Sequence, residues 1–298
     1  MTTITENGIQ YKIENDRAIL ASCEDLEGEV SVPEMLEGVR VTEAEAYAFS
    51  RKKITQLDFP RYLEKVGKYA FYRCFTLEKL SFSDALMDIG AGAFTGCNPK
   101  EIEIDFHNGE KSCLKFIADE IRYAFIVKMH FHKEDGSKEE AVVIFPEHYE
   151  EAVENTPARI LETHYHGSGG YYRQCFYNKE LNFQEYDSLL IWAITEESEE
   201  MVVDIAASRL RYPYKLSETA KERYEAYLKE HMECAGSRYV QMEDLGMLKF
   251  FCEQKFFTKK ALDETIEVAV QEKKTEILSV LMDEKRRLFP KQKKTFEF

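Results

Sequence analysis

Three stretches decide the fold: Ala44-Glu45-Ala46-Tyr47-Ala48-Phe49, Val66-Gly67-Lys68-Tyr69-Ala70-Phe71 and Ile89-Gly90-Ala91-Gly92-Ala93-Phe94. Their Ala-Phe pairs recur at spacings of 22 and 23 residues. Each is followed by a small or polar position and then by spaced apolar residues: Ile54, Leu57 and Phe59 after the first, Cys74, Leu77, Leu80 and Phe82 after the second, Cys97, Ile102 and Ile104 after the third. An internal repeat of this length means that neighbouring units stack, because one unit cannot bury its own apolar face.

The L-x-F and I-x-I steps predict short strands whose alternate residues point the same way. The Ala-Phe pairs lie on the return leg, with the small residue allowing close approach and the Phe filling the interior. Cys74 and Cys97 occupy equivalent places and read as buried small hydrophobes. Gly67 and Gly90 are expected to permit a tight turn. Val30-Ser31-Val32-Pro33 aligns with Leu57-Asp58-Phe59-Pro60 as a degenerate opening unit. Residues 8–32 read as an N-terminal cap, with strands at Ile9–Ile13 and Ala18–Leu20.

The pattern I-G-x-x-A-F-x-x-C-x-x-L-x-x-L-x-F resembles the BspA-type (Treponema pallidum-type) leucine-rich repeats of bacteria, over about residues 8–105. The lead-in Gly28–Pro33 and Gly38–Thr42 resembles that family's usual opening. The resemblance implies a parallel-strand solenoid that binds proteins or surfaces. The first unit departs from the pattern, with Glu45 where Gly is usual and Lys52 in place of Cys.

Beyond the repeats, Leu114, Ile117, Ala118 and Ile121 have helical spacing over 112–122. A hairpin is predicted from Ala124–His132 and Ala141–Phe145, with Asp135-Gly136 as the turn. From about 184 the pattern is helical. Tyr186–Ile205 and Leu262–Leu281 align with an offset of 76, each reading as helix, turn, helix. That layout weakly resembles ankyrin-type helix pairs. Ser217 and Thr258 are expected helix caps. The class is therefore α+β: a short N-terminal leucine-rich-repeat solenoid (1–105), a middle segment with a helix and a β-hairpin (106–183), and an α-helical domain of stacked helix pairs (184–298). Whether the middle segment joins the repeats or the helices is open at this stage.

Residues 147–183 are the least regular and hold the candidate site. Gly167, Gly169 and Gly170 beside Arg159, His164, His166 and Arg173 would suit an anion held by backbone N–H groups and cations. His130 and His132 with His164 and His166 offer imidazoles for a metal. Cys175 or Ser168 with His164 or His166 would be the parts of a nucleophilic site. None carries a recognised signature: there is no Walker pattern, Rossmann fingerprint or nucleophile elbow. The reading is thus a non-catalytic protein-binding scaffold with no cofactor and an unidentified protein partner. A small-ligand or anion sensor, an enzyme or an adhesin-like protein are the alternatives.

The formal net charge of −15 opposes a uniform nucleic-acid binder. The basic run Lys291, Lys293 and Lys294 reads as a solvated tail. No run of apolar residues reaches membrane-spanning length, so no membrane insertion is expected. The opening residues lack a secretory signal pattern, and seven cysteines with no C-x-x-C pair suit reduced thiols. Both point to the cytoplasm.

Overall fold

The structure is a computed structural model. It describes the backbone of residues 2–155 and 160–290 and the side chains of 3–152 and 166–290. The basic run at 291–294 lies outside the described residues. The chain divides into two compact units, Met1–Trp192 and Ala193–Phe298.

The first unit opens with β1 (Thr2–Glu6), β2 (Ile9–Glu14) and β3 (Arg17–Cys23), an antiparallel cap. The repeats follow as β4 (Glu27–Ser31), β5 (Met35–Leu36), β6 (Val39–Ala44), β7 (Lys53–Asp58), β8 (Lys65–Val66), β9 (Lys79–Ser83), β10 (Asp88–Ile89) and β11 (Glu101–Phe106). They alternate between two sheets. One runs β1-β2-β3-β6-β8-β10, with β5 paired to β6, and the other runs β13-β12-β11-β9-β7-β4. Each coil supplies one strand to each sheet, and the strands of successive coils pair in parallel.

The Ala-Phe segments form the turned leg between the sheets, and they stack. Phe49 lies 5.5 Å from Phe71, and Phe71 lies 5.1 Å from Phe94, ring over ring. All are buried. Backbone bonds run coil to coil along this leg: Tyr47 N–H to Lys68 C=O, Phe49 N–H to Ala70 C=O, Phe71 N–H to Ala93 C=O. The thiols of Cys74 and Cys97 donate to the carbonyls of Phe49 and Phe71, one coil back. That explains Lys52 in the first unit, since no earlier Phe carbonyl lies behind it.

Gly67 and Gly90 serve a different purpose from the one expected. Neither has a positive φ. A Cβ at Gly67 would overlap the backbone of Ala46, and one at Gly90 would overlap that of Gly67 and Lys68. They are glycines because adjacent coils touch there, backbone to backbone. The first coil has the cap behind it instead. Glu45 donates its N–H to the Leu20 carbonyl, and its carboxylate takes Lys12 at 2.6 Å.

Helix α1 (Leu114–Glu120) leads to β12 (Phe125–His132), which pairs in parallel with β11, and β13 (Lys138–Phe145) returns antiparallel. The middle segment thus extends the repeat sheet, and the limit drawn at residue 105 falls inside a continuous structure. The last coil has no successor to receive its amides. The Glu120 carboxylate does so, accepting from Gly92 N–H at 2.6 Å and Phe94 N–H at 3.0 Å. At the sheet edge, the Tyr186 hydroxyl donates to Ile144 C=O and accepts from its N–H, satisfying β13 where a further strand would pair.

The rest of this unit comprises β14 (Tyr149–Asn155), β15 (Ile160–His166), α2 (Gly169–Tyr172), β16 (Phe176–Tyr177), β17 (Glu180–Leu181) and α3 (Phe183–Ser188). β14 and β15 form an antiparallel hairpin where the sequence looked irregular. Helix α4 (Leu190–Glu196) carries the chain across the limit of the unit.

The second unit holds α5 (Glu199–Arg211), α6 (Glu218–Glu230), α7 (Met232–Gln241), α8 (Leu245–Glu253), α9 (Lys259–Gln271) and α10 (Thr275–Leu288). Ser217 and Thr258 cap α6 and α9 as their positions suggested. The α7–α8 and α9–α10 turns are built alike. Glu243 and Lys273 have left-handed φ values of 58°, and each donates to the carbonyl three residues back. The next residues, Asp244 and Lys274, donate five residues back, to Tyr239 and Ala269. This 30-residue period was hidden behind the 76-residue one, because neither turn carries the glycine that usually marks a helix end.

The backbone contact at the glycines makes a direct prediction. Gly90→Ala is expected to cost about 1–3 kcal/mol or more in urea unfolding. Gly170→Ala, where the nearest heavy atom to an added Cβ is 3.8 Å away, is expected to stay within about 0.5 kcal/mol of the parent.

Candidate functional site

Arg173 shows why the expected anion cradle does not form as drawn. Its side chain is buried, and its guanidinium donates to backbone carbonyls from three directions. Nε reaches Ala118 and Ile121 at 3.0 Å each, Nη1 reaches Pro146 at 2.5 Å and Gly169 at 2.9 Å, and Nη2 reaches Ile121 and Tyr123 at 2.9 Å each. Two of these carbonyls, those of Ala118 and Ile121, belong to the end of α1, where the helix leaves them unpaired and carries partial negative charge. Arg173 is a clamp that joins the end of α1, Pro146 just after β13 and Gly169 at the start of α2.

Of the other anion candidates, Arg159 lies outside the described residues, as does the side chain of His164. His166 stacks on Tyr149 at 4.4 Å and meets Glu151 at 3.2 Å. A Cβ at Gly169 would strike the Pro146 carbonyl, so that glycine serves the clamp. His166, Gly167, Gly170 and Arg173 do share one hollow of about 390 Å³.

His130 and His132 project from β12 into a ladder of charges. His130 lies 2.8 Å from Glu103, and His132 lies 2.5 Å from Asp105. Lys79 bridges Glu101 and Glu103, and Lys128 takes Glu101 at 2.7 Å. Among the described residues no group of three or more His, Cys, Asp or Glu side chains is arranged to hold a metal ion. Cys175 is buried, and burial pushes its thiol up to about 12, the opposite of an activated nucleophile. Ser168 is also fully buried.

The sequence reading missed a surface on the turned leg. Each coil places two residues there in the left-handed region: Tyr47, Tyr69 and Gly92 at φ 62°, 55° and 72°, and Arg51, Arg73 and Gly96 at 61°, 58° and 78°. The third coil uses glycine at both positions. The first two use Tyr and Arg, at roughly 1–2 kcal/mol of backbone strain each. Tyr47 stacks on Tyr69 at 5.3 Å, Tyr72 meets both edge-on, and the Tyr69 ring covers Gly92. The Arg73 guanidinium sits 5.3 Å from the Tyr72 ring. Tyr47 is 54% exposed and Phe75 75% exposed. The 22-residue recurrence of both Tyr and Arg was the available signal.

Two further hollows adjoin this surface. One of about 340 Å³ lies among Arg51, Lys52, Lys53, Arg73 and Phe75. Another of about 540 Å³ shares Phe75 and continues past Arg122, Tyr123, His148 and Tyr149. His148 and Tyr149 also line the 390 Å³ hollow at His166. His148 is held below its ordinary pKa by burial and then by Arg173 and Arg122.

Residues 41–118 match the model of the BspA type leucine rich repeat region, in 6 copies. This segment is a BspA-type leucine-rich repeat. Among solved structures the chain is similar to a leucine rich cell surface protein from Faecalibacterium prausnitzii, at 19% identity and a TM-score of 0.29, over 36% of this chain and 33% of that one. The match thus spans about a third of that protein's length. It is also similar to the T. pallidum leucine rich repeat protein, at 15% identity and a TM-score of 0.25, over 34% of this chain and 71% of that one. No curated protein matches the chain. Among the described residues no helix is long and apolar enough to cross a membrane.

The leucine-rich repeat depends on the Arg173 clamp at its far end. Arg173→Met is expected to lower stability by about 3 kcal/mol or more in denaturant titration, since several buried carbonyls lose their donor. Arg173→Lys, which lacks the planar fork, is expected to recover only part of it.

Proposed function

We propose that the chain is a non-catalytic protein-interaction scaffold whose partner docks on the turned leg of the leucine-rich repeat. The observation that carries this reading is the Tyr47–Tyr69–Tyr72 cluster with Arg51 and Arg73. Tyr and Arg are the residues that most often anchor protein interfaces. Tyr47, Tyr69, Arg51 and Arg73 stand exposed at strained backbone positions that glycine fills in the third coil. Side chains kept at such a cost to the backbone point to a role outside folding.

The outer face of the neighbouring sheet is a poorer candidate. Its cations and carboxylates pair with one another, as Lys79, Lys128, His130 and His132 do with Glu101, Glu103 and Asp105. Arg51, Lys52 and Arg73 have no carboxylate partner among the described residues. The helix pairs of the second unit, with their common turn, would supply a second repeat surface. The net charge of −15 favours a protein partner over nucleic acid.

A photo-crosslinking amino acid at position 69, in cells that make the protein naturally, is expected to trap one discrete protein partner. The same probe at the exposed Lys249 of the second unit should not trap it. Tyr69→Gly, paired with a native probe at position 47, is expected to lose the crosslink while keeping the fold, because glycine holds the same place in the third coil. A uniform smear at position 69, or a crosslink indifferent to Tyr69→Gly, would count against the scaffold.

A further inference from the structure

We propose that the groove beside the turned leg takes an extended, acidic segment of a partner protein, with carboxylates at Arg51, Lys52 and Arg73 and an aromatic side chain against Phe75. This rests on the interaction reading above and names the partner's chemistry.

The groove is a run of adjoining hollows. Phe75 is the common wall of the first two, and His148 and Tyr149 are common to the second and third. A single extended chain suits such a run better than a compact small molecule, which would fill one hollow and leave the others. Aromatic side chains stand along it: Phe75 is 75% exposed, Tyr123 53% and Tyr149 50%. Their faces offer apolar contact at low entropic cost.

The charges give the direction. At the repeat end, Arg51, Lys52 and Arg73 have no carboxylate partner among the described residues. Lys53, beside them, is already held by Glu27 at 2.8 Å. At the other end the groove is mixed. Arg122 and Glu147 both line the second hollow and Glu150 lines the third, Lys115 is paired with Asp119 at 2.6 Å, and Glu120 is committed to the amides of the last coil. A partner with carboxylates at one end only fits this pattern. A nucleic-acid strand does not, since its evenly spaced phosphates would meet Glu147 and Glu150. Screening confines charge effects to about 8 Å at physiological salt, so a local basic patch attracts an acidic segment despite the acidic chain.

The left-handed arginines supply the means of testing. Gly96 fills the same place in the third coil, so Arg51→Gly and Arg73→Gly remove charge without asking the backbone for a new shape. The experiment is fluorescence anisotropy on the full chain with a labelled peptide alternating glutamate and phenylalanine. Controls are the same peptide with lysine for glutamate and a labelled single-stranded oligonucleotide. The glutamate peptide is expected to bind, to weaken as salt rises, and to lose at least about tenfold in affinity in the Arg51→Gly/Arg73→Gly variant and again in Phe75→Ala. Lys249→Glu should leave it unchanged. The inference is overturned if the glutamate peptide does not bind, if the double glycine variant binds it equally, or if the lysine peptide or the oligonucleotide binds as tightly. A crosslink at position 69 that persists alongside such a failure leaves the interaction reading intact and removes only the acidic-segment inference. Loss of both removes both.

Discussion

A coil that gives one strand to each of two sheets has no interior of its own. Phe71 is buried only because Phe49 lies on one side and Phe94 on the other, and every parallel strand needs the coil beside it. Burying such a ring contributes about 1.5–3 kcal/mol, and each ring pair adds about 0.5–1.5 kcal/mol beyond area. The interior is thus shared property, and the rest of the first unit follows from how that sharing begins and ends. It begins on the antiparallel cap β1–β3, where Glu45 replaces the usual glycine and meets Lys12. It ends on Glu120, which takes the amides a further coil would have taken, and on β12, which continues the sheet.

That ending holds because α1, Pro146 after β13 and the start of α2 are tied by one cation. Arg173 replaces water for carbonyls that no strand or helix satisfies, and it does so from inside the protein. With the sheet face neutralised by its own charge ladder and the far end clamped, the turned leg remains. Here the backbone adopts a left-handed turn twice in each coil. Where glycine would relax it, two coils carry Tyr and Arg instead.

The repeat was legible because its signal is local and recurs: an Ala-Phe pair every 22 or 23 residues leaves little choice of fold. The hairpin at 125–145 was equally plain, with its Asp135-Gly136 turn. The role of Arg173 was not legible, since its acceptors lie as far as 55 residues away in sequence and are backbone atoms, which carry no residue signature. The groove was hidden for the same reason: Phe75, Tyr123 and Tyr149 come from three separate stretches of the chain. The β14–β15 hairpin escaped notice because its glutamates blur the alternation that marks a strand. Gly67 and Gly90 were recognised as special but for the wrong cause; what forbids a side chain there is the next coil, which a reading of one repeat at a time does not see.

The most direct test of the shared interior is hydrogen exchange on Phe71→Leu, a change that loosens the stack without emptying it. If the coils hold one interior, amides in the first coil (residues 41–60) and the third (89–106) should exchange faster together, by similar factors, although neither was altered. Faster exchange confined to residues around position 71, with both neighbouring coils as protected as before, would contradict the account.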